Sequence, residues 1–334
     1  MSAPLVVAVV GPTAAGKSDL AVALSQRLGG EVVNADAMQV YRGMDIGTAK
    51  IGTAERAGVP HHLLDILDVT ETATVAEFQA LARQAIDDCI VRSKVPVLAG
   101  GSALYVRAIL DDFVFPGTDP VVRARLEAEL EAHGSGALHA ELRRRDPKAA
   151  DQILPSNGRR IVRALEVIEI TQGPYVATLP EHRYVYAGAI QLGLDVPRPV
   201  LDERIGRRVD RMFDAGFVAE VRGLLNKGLI EGKTANRALG YSQVIALLNG
   251  EIDEAQARER TAQATRRFAR RQDSWFRKDQ RITWLPYDAD DLVEKALEVL
   301  SRTDVAQGNR EAVPGVVEVT TGPGNDTGAV DARG

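Results

Sequence analysis

Apolar and polar positions follow two rhythms along the 334-residue chain. Unbroken apolar runs at Leu5–Val10 and 95–99 are too short for helices, and 31–35 is a short strand-like stretch around Val32 and Val33. They read as strands buried on both faces. Between them the apolar spacing changes to three and four. Residues 74–92 carry Val75, Phe78, Ala82, Ile86 and Ile90 on one side, and Thr74 stands three residues before Glu77, a capping-box spacing. Residues 19–28 and 103–110 are helical in the same way, and 61–66 read as a further strand after Pro60. Strands alternating with helices predict an α/β fold, a parallel sheet flanked by helices.

The rhythm changes at 115–120. Short helices follow at 121–132, 137–145, 148–153 and 159–171, so residues 119–183 are expected to form an inserted all-helical subdomain. Strand character returns at 184–196, centred on 189–194. Helices then cover 201–214, 217–226 and 243–248, followed by a long one over 253–280. A strand at 281–285 and a helix at 292–300 close the pattern. The expected division is a core in two parts, 1–118 and 184–303, around the insertion, with a tail at 304–334. The tail has no aromatic residue and six glycines, and is expected to be disordered because it cannot bury enough apolar surface.

Chemistry enters at the end of the first strand. Gly11-Pro12-Thr13-Ala14-Ala15-Gly16-Lys17-Ser18 is a phosphate-loop pattern in strand–loop–helix context. The glycines let backbone N–H groups turn into one concavity, and the helix start adds a positive dipole end. Lys17 supplies a charge for a terminal phosphate and Ser18 a hydroxyl for Mg²⁺. The fold expectation sharpens to a P-loop NTPase-like sheet. The loop announces a diphosphate or a nucleotide triphosphate such as ATP; it does not say which molecule carries the phosphates.

Asp36 stands at the carboxyl end of the next strand, where ligands bind in open α/β sheets. It is a candidate for chemistry, although a turn aspartate reads the same way. Gly100-Gly101-Ser102 makes a second strand–glycine–helix turn at the same sheet edge. His61 and His62 point to opposite faces of a strand and are poor joint ligands. Asp65 and Asp68 suit water-mediated Mg²⁺ or ordinary turns equally.

Composition narrows the class. Net charge is −5, against a uniformly basic nucleic-acid binder, yet 258–281 holds nine Lys/Arg against three acids. Arg143, Arg144, Arg145, Lys148, Arg159, Arg160 and Arg163 make the insertion basic too, which suits a polyanion. The single cysteine, Cys89, excludes an internal disulfide and reads as a small core residue. No basic stretch followed by a long apolar one opens the sequence and no run of 18 apolar residues occurs in it, so neither a signal segment nor a membrane span is expected. The expectation is a cytoplasmic protein, monomeric, without a membrane partner.

Taken together, these residues resemble the bacterial tRNA dimethylallyltransferases. The resemblance spans about 5–286. It rests on the phosphate loop, on Asn34-Ala35-Asp36-Ala37-Met38-Gln39-Val40-Tyr41-Arg42-Gly43-Met44-Asp45-Ile46-Gly47-Thr48-Ala49-Lys50, on Pro60-His61-His62-Leu63-Leu64-Asp65, on Gly100-Gly101-Ser102-Ala103-Leu104-Tyr105, and on Arg237-Ala238-Leu239-Gly240-Tyr241. The stretch from Asn34 to Lys50 is the specific part. The family transfers a dimethylallyl group from dimethylallyl diphosphate to N6 of adenosine 37, beside the anticodon of tRNA, with Mg²⁺. The resemblance implies that Gly11 to Ser18 bind the diphosphate, with Mg²⁺ on Ser18. It places the donor-side threonine at Thr13, the diphosphate-contacting arginine at Arg208 and the base at Asp36. Its tRNA-contacting positions fall on Asp36, Ala37, Met38, Gln39, Ser102, Arg123, Arg159, Arg160, Ile161, Val162, Arg163, Arg237, Ala238, Leu239, Gly240, Tyr241 and Ser242. Ser242 departs from a position that is commonly basic. A base within an anticodon loop must leave its stack to reach such a site.

Three other readings are open to the sequence. A small-molecule kinase shares the loop but leaves residues 36–50 and the basic helix unexplained. A transferase acting on free adenine nucleotides does not need the arginine-rich insertion. A non-catalytic RNA-binding protein does not need Lys17 beside Asp36.

Overall fold

The computed structural model describes residues 3–175 and 182–308, the side chains of 303–308 excepted. In chain order the elements are β1 (Leu5–Val10), α1 (Lys17–Leu28), β2 (Glu31–Asn34), β3 (His61–His62), α2 (Val75–Val91), β4 (Pro96–Gly100), α3 (Ala103–Leu110), α4 (Pro120–Arg145), α5 (Pro147–Gln152) and α6 (Gly158–Thr171). Then come β5 (Gly188–Asp195), α7 (Arg198–Asp214), α8 (Phe217–Leu225), α9 (Tyr241–Leu248), α10 (Glu254–Phe276), β6 (Ile282–Pro286) and α11 (Leu292–Gly308).

The six strands form one parallel sheet in the order β3-β2-β4-β1-β5-β6. Their apolar runs are continuous because both faces are covered. Along β1, Val6, Ala8 and Val10 pack on one side with Phe78, Ile109, Phe217 and Tyr241. Val7 and Val9 pack on the other with Leu20, Leu24 and Leu300. The chain leaves β1 toward β2 and β3, returns to place β4 beside β1, then continues outward through β5. The crevice therefore opens above the carboxyl ends of β1 and β4.

Several elements end for local reasons. Strand β3 stops after His62 because Leu63 (φ 63°) and Asp65 (φ 58°) adopt left-handed backbone, so the strand expected to reach residue 66 is much shorter. Strand β5 begins at Gly188; Tyr184 instead bridges antiparallel to Asp111, which joins the two chain crossings of the insertion. Gly134 (φ 76°, ψ 167°) breaks α4 into the two helices read from the sequence. Helix α11 continues to Gly308, and the rest of the expected tail lies outside the described residues. Helices α4, α5 and α6 share their own apolar cluster of Leu126, Leu138, Leu142, Ile153, Ile161 and Leu165.

Candidate active site

The phosphate loop closes on itself. Gly11 (φ 135°) and Gly16 (φ 102°) take backbone that a Cβ disfavours, and Ala14 (φ 65°) tolerates it between them. Helix α1 starts at Lys17, two residues before the first expected helical position, and Gly16 caps it in the left-handed region. Lys17 and Ser18 thus occupy the first turn, beside the unsatisfied N–H groups and the positive dipole end. The Lys17 ammonium donates to Pro12 O at 2.8 Å. Burial lowers the Lys17 pKa to about 8; the Asp36 charge opposes that shift and the Arg208 charge adds to it.

Asp36 follows β2. Its N–H donates to Asn34 Oδ1 at 2.9 Å, and its own Oδ1 accepts from Met38 N–H at 2.9 Å. Its second carboxylate oxygen has no hydrogen-bond partner among the described residues. Thr13, Lys17, Ser18, Asp36, Gln39, Arg208 and the Gly100-Gly101 turn all line one cavity of about 530 Å³. Arg208 on α7 reaches Thr13 Oγ1 at 3.4 Å, and burial lowers its pKa. A neighbouring recess of similar size is walled by Arg204, Arg207, Arg208 and Arg211 against Ala14 and Gly16.

Other expected positions lie away from this cavity or have other duties. Ser102 is half-buried at the head of α3. Ala37 and Met38 continue the Asp36 turn, also half-buried. Arg159 and Arg160 are exposed at the start of α6 with no acidic partner among the described residues. Ile161 and Val162 are core residues of the helical subdomain, 0% and 2% exposed, so their side chains are closed to a partner. Arg123 and Arg163 both bond the fully buried Glu166, and Arg163 also donates to Pro116 O at 2.6 Å. Those two guanidinium groups hold the subdomain together. Arg237 and Ser242 are exposed and Leu239 is half-buried, whereas Ala238, Gly240 and Tyr241 are buried. Asp65 pairs with Lys50 and Asp68 with Arg42.

Tyr241 instead completes a clamp. Glu220 on α8 accepts from the backbone N–H groups of Asp45 (3.0 Å), Ile46 (2.6 Å) and Gly47 (3.1 Å), and from Tyr241 Oη at 2.7 Å. Lys50, with its side chain 3% exposed, ties the same loop through Tyr41 O, Asp45 and Asp65. The polar segment after Asp36 is therefore a fixed wall. Gln272 on α10 is a further residue of the cavity that the sequence reading passed over. Its signal lay in spacing: with Ala262, Ala269 and Phe276 it occupies the buried side of α10.

A cluster behind the sheet holds no open donor set. Glu31, His62 and Cys89 bring ligand-type atoms within 4.8 Å, but Arg92 grips the Glu31 carboxylate at 2.5 and 2.7 Å and holds its pKa down at about 2. The guanidinium fills the role a cation would take, and burial pushes the Cys89 thiol up to about 11.

The IPP transferase family model matches residues 39–279. The tRNA dimethylallyltransferase of Thermobifida fusca is 63% identical over 296 residues, which is 87% of this chain and 92% of that protein. That of Streptomyces coelicolor is 63% identical across 90% of this chain and 97% of its own length. Among solved structures, the full-length tRNA isopentenylpyrophosphate transferase of Bacillus halodurans is similar at TM-score 0.68 and 39% identity, covering 92% of this chain and 99% of that one. A eukaryotic dimethylallyltransferase acting on tRNA shares the fold at TM-score 0.79, with 24% identity over 91% of this chain and 80% of that one. Likeness at this level over most of the length leaves no room for a generic phosphate-loop kinase: the chain belongs to the IPP transferase family, whose members are prenyl-transferring enzymes.

Proposed function

We propose that this protein transfers a dimethylallyl group from dimethylallyl diphosphate to N6 of adenosine 37 in tRNA, leaving diphosphate. One observation carries the reading: a diphosphate cradle and a carboxylate with an unpartnered oxygen share one cavity.

The chemistry follows from the charges. As the C–O bond of the donor breaks, negative charge gathers on the departing diphosphate. Lys17, the loop N–H groups and Arg208, bonded to Thr13, face that charge and stabilise it more in the transition state than in the ground state. The adenine N6 amine is a weak nucleophile because its lone pair is delocalised into the ring. Asp36 accepts the N6 proton while nitrogen bonds to the allylic carbon, so one C–N bond forms, one C–O bond breaks and the proton leaves on the carboxylate. The cavity offers the hydroxyl of exposed Ser18 and carboxylate oxygens, the donor class that Mg²⁺ takes, and Ser18 would hold the ion. Bound there, Mg²⁺ neutralises charge on the diphosphate.

The acceptor side is RNA. Arg159 and Arg160 on the insertion and Arg237 before α9 are exposed cations suited to phosphates. The target base leaves its stack to meet Asp36. The protein acts on this reading as a monomer in the cytoplasm. Among the described residues no helix is long and apolar enough to cross a membrane.

The test is label transfer from radioactive dimethylallyl diphosphate, with Mg²⁺, to an anticodon stem-loop carrying A36-A37 or to AMP. Label in the stem-loop alone supports the proposal. Label in AMP moves the acceptor to free nucleotides. ATP hydrolysis with no label in either sinks the transferase reading.

A further inference from the structure

Gln272 occupies a position that neither a surface helix residue nor an ordinary core residue explains. Its side chain is buried, 6% exposed, and both ends of its amide are used. Oε1 accepts from the Thr13 backbone N–H at 2.9 Å, and Nε2 donates to Gly101 O at 2.7 Å. One amide on α10 thus spans the turns that follow β1 and β4, the two strands that flank the crevice. The fit is tight on both sides. A Cβ at position 101 would collide with Nε2 of Gln272, which gives the second glycine of Gly100-Gly101 a reason of its own.

The consequences run into the diphosphate cradle. The Thr13 N–H and the Pro12 carbonyl belong to one peptide unit. Gln272 binds its N–H end and Lys17 binds its C=O end, at 2.8 Å. Accepting from the N–H polarises the peptide and strengthens the carbonyl as acceptor. The next group along is the Thr13 hydroxyl, which meets Arg208. The peptide on which Lys17 and Thr13 depend is therefore held from outside its own loop, by a helix.

That helix also carries charge outward. Arg267, Arg270 and Arg271 are exposed and have no acidic partner among the described residues. The same element that anchors the donor loop thus has a cationic outer face.

We propose that Gln272 is a positioning residue for the donor half of the reaction. It sets the Pro12–Thr13 peptide, and through it Lys17 and Thr13–Arg208, and it ties them to the β4 turn. The inference rests on the proposed function for its substrate, though not for its geometry. Removing the amide should harm donor handling far more than RNA handling. A merely structural glutamine would lower stability and leave the balance between the two substrates untouched.

Three variants of the full chain separate these outcomes. Gln272→Met keeps length and removes both bonds. Gln272→Glu keeps an acceptor for the Thr13 N–H. Gly101→Ala displaces the Nε2 end without touching Gln272. The expected result for Gln272→Met is a fall of about 100-fold in kcat/KM for dimethylallyl diphosphate, with KM for the stem-loop within about 3-fold of the parent. Gln272→Glu recovers part of that loss, and Gly101→Ala shows the same donor-side defect. Calorimetric titration of inorganic pyrophosphate into each protein supplies a readout apart from turnover, expected about 10-fold weaker in Gln272→Met. Unchanged pyrophosphate affinity in Gln272→Met overturns the proposal. So does an equal rise of KM for both substrates. Should Gln272→Met unfold, the other two variants decide by the same criteria. If the parent itself transfers no label, the proposed function fails, while the pyrophosphate comparison still judges Gln272.

Discussion

Asp36 and Lys17 divide the work of the cavity, and each makes a prediction at its own atoms. Asp36 is oriented by its own turn through Met38 N–H, so replacing it with Asn keeps the shape and removes the proton acceptor. Asp36→Asn is expected to lower kcat by about 100-fold or more, with KM for the donor little changed, in the label-transfer assay. Lys17 is a cation in a crowded wall. With its pKa at about 8, the charge is present below that pH and lost above it. The kcat/KM for dimethylallyl diphosphate should therefore fall as pH rises through about 8. Arginine does not deprotonate there, so Lys17→Arg should abolish the decline in whatever activity it keeps. The stability sign is the opposite of a salt-bridged lysine's. Between about 8 and the ordinary value of 10.5 the folded state holds fewer protons than the unfolded chain, so folding gains as pH rises through that window. Below it the ammonium is a burden. Lys17→Met should lose activity without a lower melting temperature at pH 7, as read by circular dichroism.

At the scale of elements, the loop after β2 is shaped by helices distant in sequence. Glu220 satisfies three successive N–H groups of 45–47 and the Tyr241 hydroxyl. Removing it leaves the buried Tyr241 hydroxyl and the half-buried N–H groups of Ile46 and Gly47 unpaired, so Glu220→Ala should cost about 3 kcal/mol in denaturant unfolding. Gly47 lies against the Phe217 and Tyr241 rings, and a Cβ there would sit 2.7 Å from Tyr241 Cε2. Gly47→Ala should cost about 1–3 kcal/mol by overpacking and loosen the same wall. The sequence reading had a polar loop with glycines at 43 and 47, but its anchors are 170 residues away and carry no local signal. Element boundaries failed for similar reasons. Residues 63–66 look like strand by composition, yet left-handed backbone at Leu63 and Asp65 ends the strand in two residues.

For the whole molecule, the two core crossings that flank the insertion are locked together by a charged joint. Arg281 bonds Asp111 at 2.7 and 3.1 Å and Asp279 at 2.7 Å, and lies 4.0 Å over the Tyr184 ring. Asp111 is fully buried, and burial of the guanidinium is outweighed by these acids, which raise its pKa. Breaking one side of a buried pair leaves an uncompensated charge, so Arg281→Met should destabilise the protein by about 3–5 kcal/mol in denaturant unfolding. Surface charge acts differently. Replacing exposed Arg159 and Arg160 with Gln should weaken stem-loop binding. It should also flatten the salt dependence of the logarithm of affinity by about one to two units of slope, with the donor KM unaffected.

The sequence alone determined what depends on short-range order. Apolar runs imply strands covered on both faces. Gly11, Gly16, Lys17 and Ser18 imply a phosphate cradle because the glycines and the helix start lie within one turn of chain. The break at Gly134 and the position of Asp36 at a strand end were legible for the same reason. Tertiary structure decided which of the many arginines and polar residues serve the site. Arg123 and Arg163 turn inward to Glu166, Arg208 turns to Thr13, and Gln272 reaches from α10 to turns more than 170 residues earlier. A side chain's role there is set by the buried partner it must satisfy, and that partner is chosen by the packing of helices on the sheet.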